Sequence, residues 1–252
     1  DYEQVKFFFK SGLPKYNANN TSFYGEVYRF QCYVWYNFII QKFDRCYYYS
    51  LKWVNLFDEN PVFKVKETSL YLKGLHNVIS ALFYCYSGTR FTNYQNILNN
   101  FVEENQSKFS LRTKSQAFLF TETAYLNGVF LRAEFENGKS HLDKLELQIE
   151  GYSNYIDGHR KIILHYKMAC VNFGAADFKG CIKYLNLIIN TATTNLKEDL
   201  QCFARILSLI AHYELGNNDL IDHQIRSTYR FLLNMKDMQM VQKEIINFLR
   251  NS

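Results

Sequence analysis

The sequence predicts an all-α protein built from stacked helical hairpins, and three observations carry that prediction. Apolar residues recur at spacings of three and four through almost every segment longer than twelve residues, as at Ile163, Tyr166, Ala169, Cys170 and Phe173. That spacing gathers them on one face of a helix, and no convincing run of strict alternation competes with it. Glycine and proline together supply 13 of 252 residues, well below the usual ~12% and too few for the many turns of a β-sandwich or barrel. Finally, turn signals fall near Lys42, Gly88, Asn137, Ala176 and Asn217, which lie 46, 49, 39 and 41 residues apart. A period in the forties made of two helices marks a helical solenoid, in which no hairpin can bury its apolar faces alone and neighbours must stack.

Taken in order, residues 1–20 read as a short amphipathic helix and a linker, parted by Gly12-Leu13-Pro14. Residues 21–252 read as one continuous array of about five hairpins. Asp58-Glu59-Asn60-Pro61 stops a helix, because the proline disfavours helical geometry in the residue before it. Gly88, Gly138, Gly158 and Gly216 are expected at helix ends, where a left-handed backbone is needed. Thr92, Ser110, Ser140, Thr194 or Asn195, and Asp237 stand where N-caps are required, with capping-box spacing at Ser140–Asp143 and Asn195–Glu198. Leu196, Leu200, Phe203, Leu207, Ile210 and Ala211 form a further apolar stripe. Met238, Val241, Ile245 and Phe248 define a terminal helix from Met238 to Arg250.

The segment from His165 to Ile189 is the most informative. Ala169 is a small residue on a first helix, Phe178 opens a second, and Cys181 follows three later, with Leu185 and Ile188 behind it. Here the sequence resembles the tetratricopeptide repeat (TPR) family. Phe43 followed by Cys46 repeats the aromatic-plus-three spacing in the first hairpin. The resemblance is good over about 25 residues, moderate around residues 30–57 and weak elsewhere. The units are longer than the family's ~34 residues. Val34 and Leu82 stand where a small residue is expected, and the helix-B proline is missing from most units. The resemblance implies an α-α superhelix that binds extended or helical peptides on a concave surface.

Motifs for chemistry are absent. The six histidines form no HExxH or HxxxH pattern, and the six cysteines form no CxxC pair, so the usual zinc and redox arrangements do not occur. Asp219, Asp222 and His223 could share a helical turn, but acidic residues at a solvated helix start explain them better. There is no Gly-x-Gly-x-x-Gly, Walker A or Gly-x-Ser-x-Gly sequence. No enzyme, metal or cofactor is expected. The excess of 29 basic over 24 acidic residues, spread along the chain without a run of five like charges, is too small and diffuse to indicate nucleic acid. His223, Arg226 and Arg230 read as a solvated outer face. The longest uncharged stretch, the sixteen residues from Gly74 to Thr89, is too short to span a bilayer. Six unpatterned cysteines favour a reducing, cytoplasmic setting, and a start at Asp1 without methionine suggests a fragment or processed product.

What stands out is aromatic content: 2 Trp, 20 Tyr and 22 Phe. Most must pack the core. Tyr33-Val34-Trp35-Tyr36 and Tyr47-Tyr48-Tyr49, however, place aromatics on three sides of a helix, so some must meet solvent, a neighbouring hairpin or a ligand. Transferred to the helix-A surface, the spacing marks Gln31, Trp35 and Phe38, then Ile79, Phe83 and Tyr86, then Tyr166, Cys170 and Phe173. The expected function is a non-catalytic scaffold or adaptor whose aromatic groove binds a protein or hydrophobic peptide segment, from a partner or from the same polypeptide. The second reading is the peptide-sensing part of a transcription regulator with a DNA-binding segment upstream of residue 1.

Overall fold

A computed structural model of the chain describes residues 2–12, 22–191 and 198–233. Among these it contains twelve α-helices and no strand: α1 Tyr2–Gly12, α2 Phe23–Ile39, α3 Phe43–Glu59, α4 Val62–Lys66, α5 Thr68–Tyr84, α6 Gly88–Asn105, α7 Leu111–Arg132, α8 Phe135–Gly151, α9 Gly158–Gly174, α10 Phe178–Ile189, α11 Glu198–Glu214 and α12 Asn218–Leu233. The all-α expectation therefore holds. The terminal helix Met238–Arg250, the caps at Thr194, Asn195 and Asp237, and the linker after Gly12 fall outside the described residues.

The helices gather into two compact units, Asp1–Arg132 and Ala133–Ser252. In the first, α3 packs against both α2 and α5, while α2 and α5 do not pack broadly on each other; α5 also packs on α6 and α7, and α6 on α7. Aromatic rings fix the register. Phe23 meets Phe57, Tyr33 stacks on Tyr49 and Phe38 meets Phe43, which sets α2 antiparallel to α3. Phe43 on Tyr84 and Phe57 against Tyr71 do the same for α3 and α5. Helix α1 rests on α2 through Phe9, stacked on Tyr36 at 4.0 Å and edge-on to Tyr33. The dense aromatic runs are thus divided between neighbouring helices and solvent. In the second unit each helix from α8 to α12 packs on the next.

The turns differ from the expected ones. Among the described residues the left-handed ones are Gln41, Tyr86, Ala133, Ala176 and Gly216, so four of these five carry a side chain. Gly88 and Gly158 instead begin helices and Gly138 lies inside α8. The substitution is possible because hydrogen bonds over-determine the turn. Lys42 N–H donates to Asn37 C=O and Gln41 N–H to Phe38 C=O; the same pair recurs at Ser87 and Tyr86, at Asp177 and Ala176, and at Asn217 and Gly216. This is the Schellman arrangement, which satisfies two otherwise orphaned helix-end carbonyls. In every case the helix that follows starts two residues after the left-handed residue.

Helix starts also divide. Ser110 caps α7, its Oγ accepting from Thr113 N–H at 3.2 Å. Thr92 and Ser140, expected as caps, sit within α6 and α8 and bond back to Gly88 C=O and Asn137 C=O. The side-chain caps that form elsewhere are Ser22 for α2, Asp157 for α9 and Asp177 for α10. Asn60, before Pro61, ends α3 as expected.

Burial follows the helical pattern with one shift of phase. In α11 the buried line is Cys202, Ile206 and Leu209, whereas Phe203 of the expected stripe is exposed. Ala169, Cys181, Leu185 and Ile188 are fully buried, as are Cys46 and Val34 within a few percent. Charge divides unevenly: residues 1–132 hold fifteen Lys and Arg against ten Asp and Glu, and residues 133–252 hold fourteen of each. The net charge of +5 belongs to the first unit rather than to the whole length.

Candidate functional site

In the first unit α2 and α5 stand side by side over α3. Tyr24, Tyr28, Gln31, Trp35 and Phe38 recur at helical spacing along one face of α2. Lys73, Asn77, Ser80 and Tyr84 do so along one face of α5. Contacts between side chains show that the two stripes face each other. Tyr24 OH donates to Glu67 Oε1 at 2.7 Å, the Lys73 ammonium lies 4.9 Å from the centre of the Trp35 ring, and Phe38 meets Tyr84 edge-to-face at 5.6 Å. Tyr84 in turn stacks on Phe43 at 4.4 Å, where α3 begins.

The patch is exposed without being loose. Trp35 is 51% exposed, Phe38 41% and Tyr84 44%, yet each ring is held by a neighbour. Exposed rings with one fixed face lose little entropy on binding, and an aromatic with a polar edge suits a wet interface. The hydrogen bond to Glu67 raises the Tyr24 phenol above its usual range, and burial does the same for Tyr84. Lys52 over Tyr48 and Arg90 over Tyr47 add further cation–ring contacts on this unit.

Of the residues marked from sequence, Trp35 and Phe38 stand on this patch. Phe83 is half-buried with its edge against Tyr84, and Tyr86 is exposed on the turn after α5. Ile79 is a core residue, not a groove residue. Gln31 lies on the stripe but is buried, so its side chain is not on the surface the spacing assigned to it. Tyr166, Cys170 and Phe173 belong to the second unit and are half-buried. Burial raises both the Tyr166 phenol and the Cys170 thiol, and Phe173 packs edge-on to Phe178 at 5.4 Å. Sequence reasoning missed Lys73, Asn77 and Tyr84. Their spacing with Ser80 was the available signal, hidden inside a segment apolar on several sides.

Titratable groups elsewhere are shaped mainly by burial. It pushes the Cys46 and Cys181 thiols up to about 12 and that of Cys202 to about 11, which makes them poor nucleophiles at neutral pH. Lys167 is pulled down to about 8 by the same desolvation. On α8 and α10, Glu146 Oε2 accepts from Lys183 Nζ at 2.7 Å and from Tyr184 OH at 3.0 Å, while the His165 ring lies 6.3 Å from that of Tyr184. Among the described residues no group of His, Cys, Asp and Glu is placed to hold a metal ion, and no helix is long and apolar enough to cross a membrane. Comparison with protein-family models, with curated proteins and with solved structures finds no match for this chain.

Proposed function

We propose that this chain is a non-catalytic scaffold or adaptor of TPR-like helical repeats, and that it binds a protein or hydrophobic peptide segment in the groove between α2 and α5. The observation that carries the reading is the facing of Trp35 and Phe38 on α2 with Lys73 and Tyr84 on α5. Rings held on one side and bare on the other are suited to close over an apolar side chain. The repeated turn geometry after α2, α5, α9 and α11 supports the repeat reading. The aromatic-plus-three spacing supports it too: Phe43–Cys46, Phe135–Gly138 and Phe178–Cys181 fall at one register relative to the left-handed residue. Six free cysteines, three of them fully buried, fit a reducing cytoplasmic setting.

The test uses the full chain and Trp35→Ala as parallel baits in native lysate, with nuclease and moderate salt, read by mass spectrometry. One near-stoichiometric protein is expected on the unaltered bait and not on Trp35→Ala, with the circular dichroism of the two indistinguishable. Capture that ignores the substitution, or that disappears on nuclease treatment, overturns the groove reading.

A further inference from the structure

Helix α11 carries apolar residues on more sides than α10 and α12 cover. Gln201 Nε2 donates to Ile188 C=O at 3.4 Å, which turns the side bearing Gln201, Ala204 and Ser208 toward α10. The buried line Cys202–Ile206–Leu209 faces α12, whose own buried residues, Ile225 and Thr228, face back across the seam. A third side holds Leu200, Phe203, Leu207 and Ile210, spaced at three and four and without a charge. Phe203 is 47% exposed and the other three are half-buried. A helix apolar on this many sides is made for an interior, with a neighbour against each.

Helix α12 continues the open side. The Arg205 guanidinium lies 4.5 Å over the Phe231 ring, so these two mark one edge of the seam. Phe203 and Tyr229 stand across the buried lines from them and border the other edge. Tyr229 is 37% exposed, and with Phe203 and Tyr213 it completes the exposed large apolar side chains of the two helices among the described residues. His223, Arg226 and Arg230 turn to solvent beyond it.

The chain supplies an occupant at the right place. The contact at Phe231 sets the C-terminal end of α12 beside the N-terminal part of α11. Helix α12 is described to Leu233, and beyond it Met238, Val241, Ile245 and Phe248 repeat the spacing of Leu200, Phe203, Leu207 and Ile210. Residues 234–237 reach about 13 Å when extended, more than the about 8–10 Å between the axes of packed helices. A helix that reverses there runs antiparallel to α12 and parallel to α11, and both stripes cover the same length, about 15 Å.

We propose that residues 238–250 form the helix that closes this flank, setting Met238, Val241, Ile245 and Phe248 against Phe203, Ile210 and Tyr229. Lys243 and Asn247 then face outward, the polar surface that a solvated repeat needs. The inference concerns α11 and α12 and does not depend on the groove between α2 and α5.

The test replaces Phe203 by the photo-crosslinker p-benzoylphenylalanine in the whole chain and irradiates an equimolar mixture of isotopically light and heavy protein. Mass spectrometry of the digest should find residue 203 joined to a peptide from residues 238–250, light to light and heavy to heavy. Light joined to heavy would give the flank to a second copy, and links that miss 238–250 would leave it to another partner; either result overturns the proposal. Ile245→Asp puts a charge into the contact and should lower the yield at least about tenfold. Lys243→Glu, on the opposite face of the same helix, should leave the yield unchanged. Equal yields from the two variants would show that the apolar stripe does not make the contact.

Discussion

The indole of Trp53 lies against Gly74, with Cδ1 and Nε1 each 3.2 Å from the position a β-carbon would take there and Val54 Cγ2 at 3.3 Å. Trp53 is fully buried and cannot move aside. Gly74 is therefore what lets α3 and α5 close on each other and hold the walls of the groove at a fixed separation. Gly74→Ala should overpack this contact by about 1–3 kcal/mol, offset by about 1 kcal/mol of helix propensity. A net loss near ~1 kcal/mol in urea unfolding is expected. Gly88→Ala, where nothing lies within 4 Å of the new methyl, should stabilise by up to ~1 kcal/mol instead. Equal effects at the two glycines would refute the packing account.

The left-handed turns offer a test of opposite sign at equivalent positions. Ala176 and Tyr86 adopt φ near 53°, and Gly216 adopts 68°. A side chain in this region costs roughly 1–2 kcal/mol, less the entropy that glycine forfeits on folding. Ala176→Gly and Tyr86→Gly should each stabilise by about 0.5–1 kcal/mol, and Gly216→Ala should destabilise by about 1 kcal/mol. Thermal melts of the three variants decide it. No gain at Ala176 would mean that the hydrogen-bonded turn tolerates a side chain without strain.

Cys46 and Cys181 occupy the same place in their hairpins, five residues after the left-handed residue, and both are buried to within 1%. Cys181→Leu should overpack the contact between α9 and α10 and cost about 1–3 kcal/mol, with Cys46→Leu matching it between α2 and α3. Chemical denaturation measures both. A neutral result at either position would show that the two hairpins do not share a packing register.

The pH dependence is expected to sit partly on Glu146. The Lys183 ammonium and the Tyr184 hydroxyl hold its carboxyl below the usual range. A carboxylate whose folded pKa is depressed contributes stability that is complete above its unfolded pKa and is lost as pH falls through the folded value. The Lys183 side chain is 55% exposed and that of Glu146 29%, so screening limits the contribution to under about 1 kcal/mol. Glu146→Gln should thus lower stability slightly at pH 7 and make no difference at pH 2. A deficit that persists in acid would assign the effect to packing of the Gln side chain.

Much of this was legible in the sequence. Three-and-four spacing is a property of the helix itself, so the all-α class, the stop at Pro61 and the amphipathic faces could be read residue by residue. The turn residues could not be. Glycine is the residue that tolerates a left-handed backbone most cheaply, and its presence at 88, 138 and 158 pointed to the wrong positions. Gln41, Tyr86, Ala133 and Ala176 take that geometry because their surroundings fix it: paired N–H donors, where Gln41, Tyr86 and Ala176 end their helices, offset the steric cost. Spacing could place Trp35 and Phe38 on one face of α2, but not name the residues they meet. Lys73 and Tyr84 are 38 and 46 residues further along, and only the shared packing of α2 and α5 on α3 brings them there. The sequence by itself determined the helices and the abundance of aromatic side chains, because periodicity and composition are local. Only the tertiary structure decided which rings remain bare and which apolar side of α11 is left open, because burial depends on the register between helices distant in the chain.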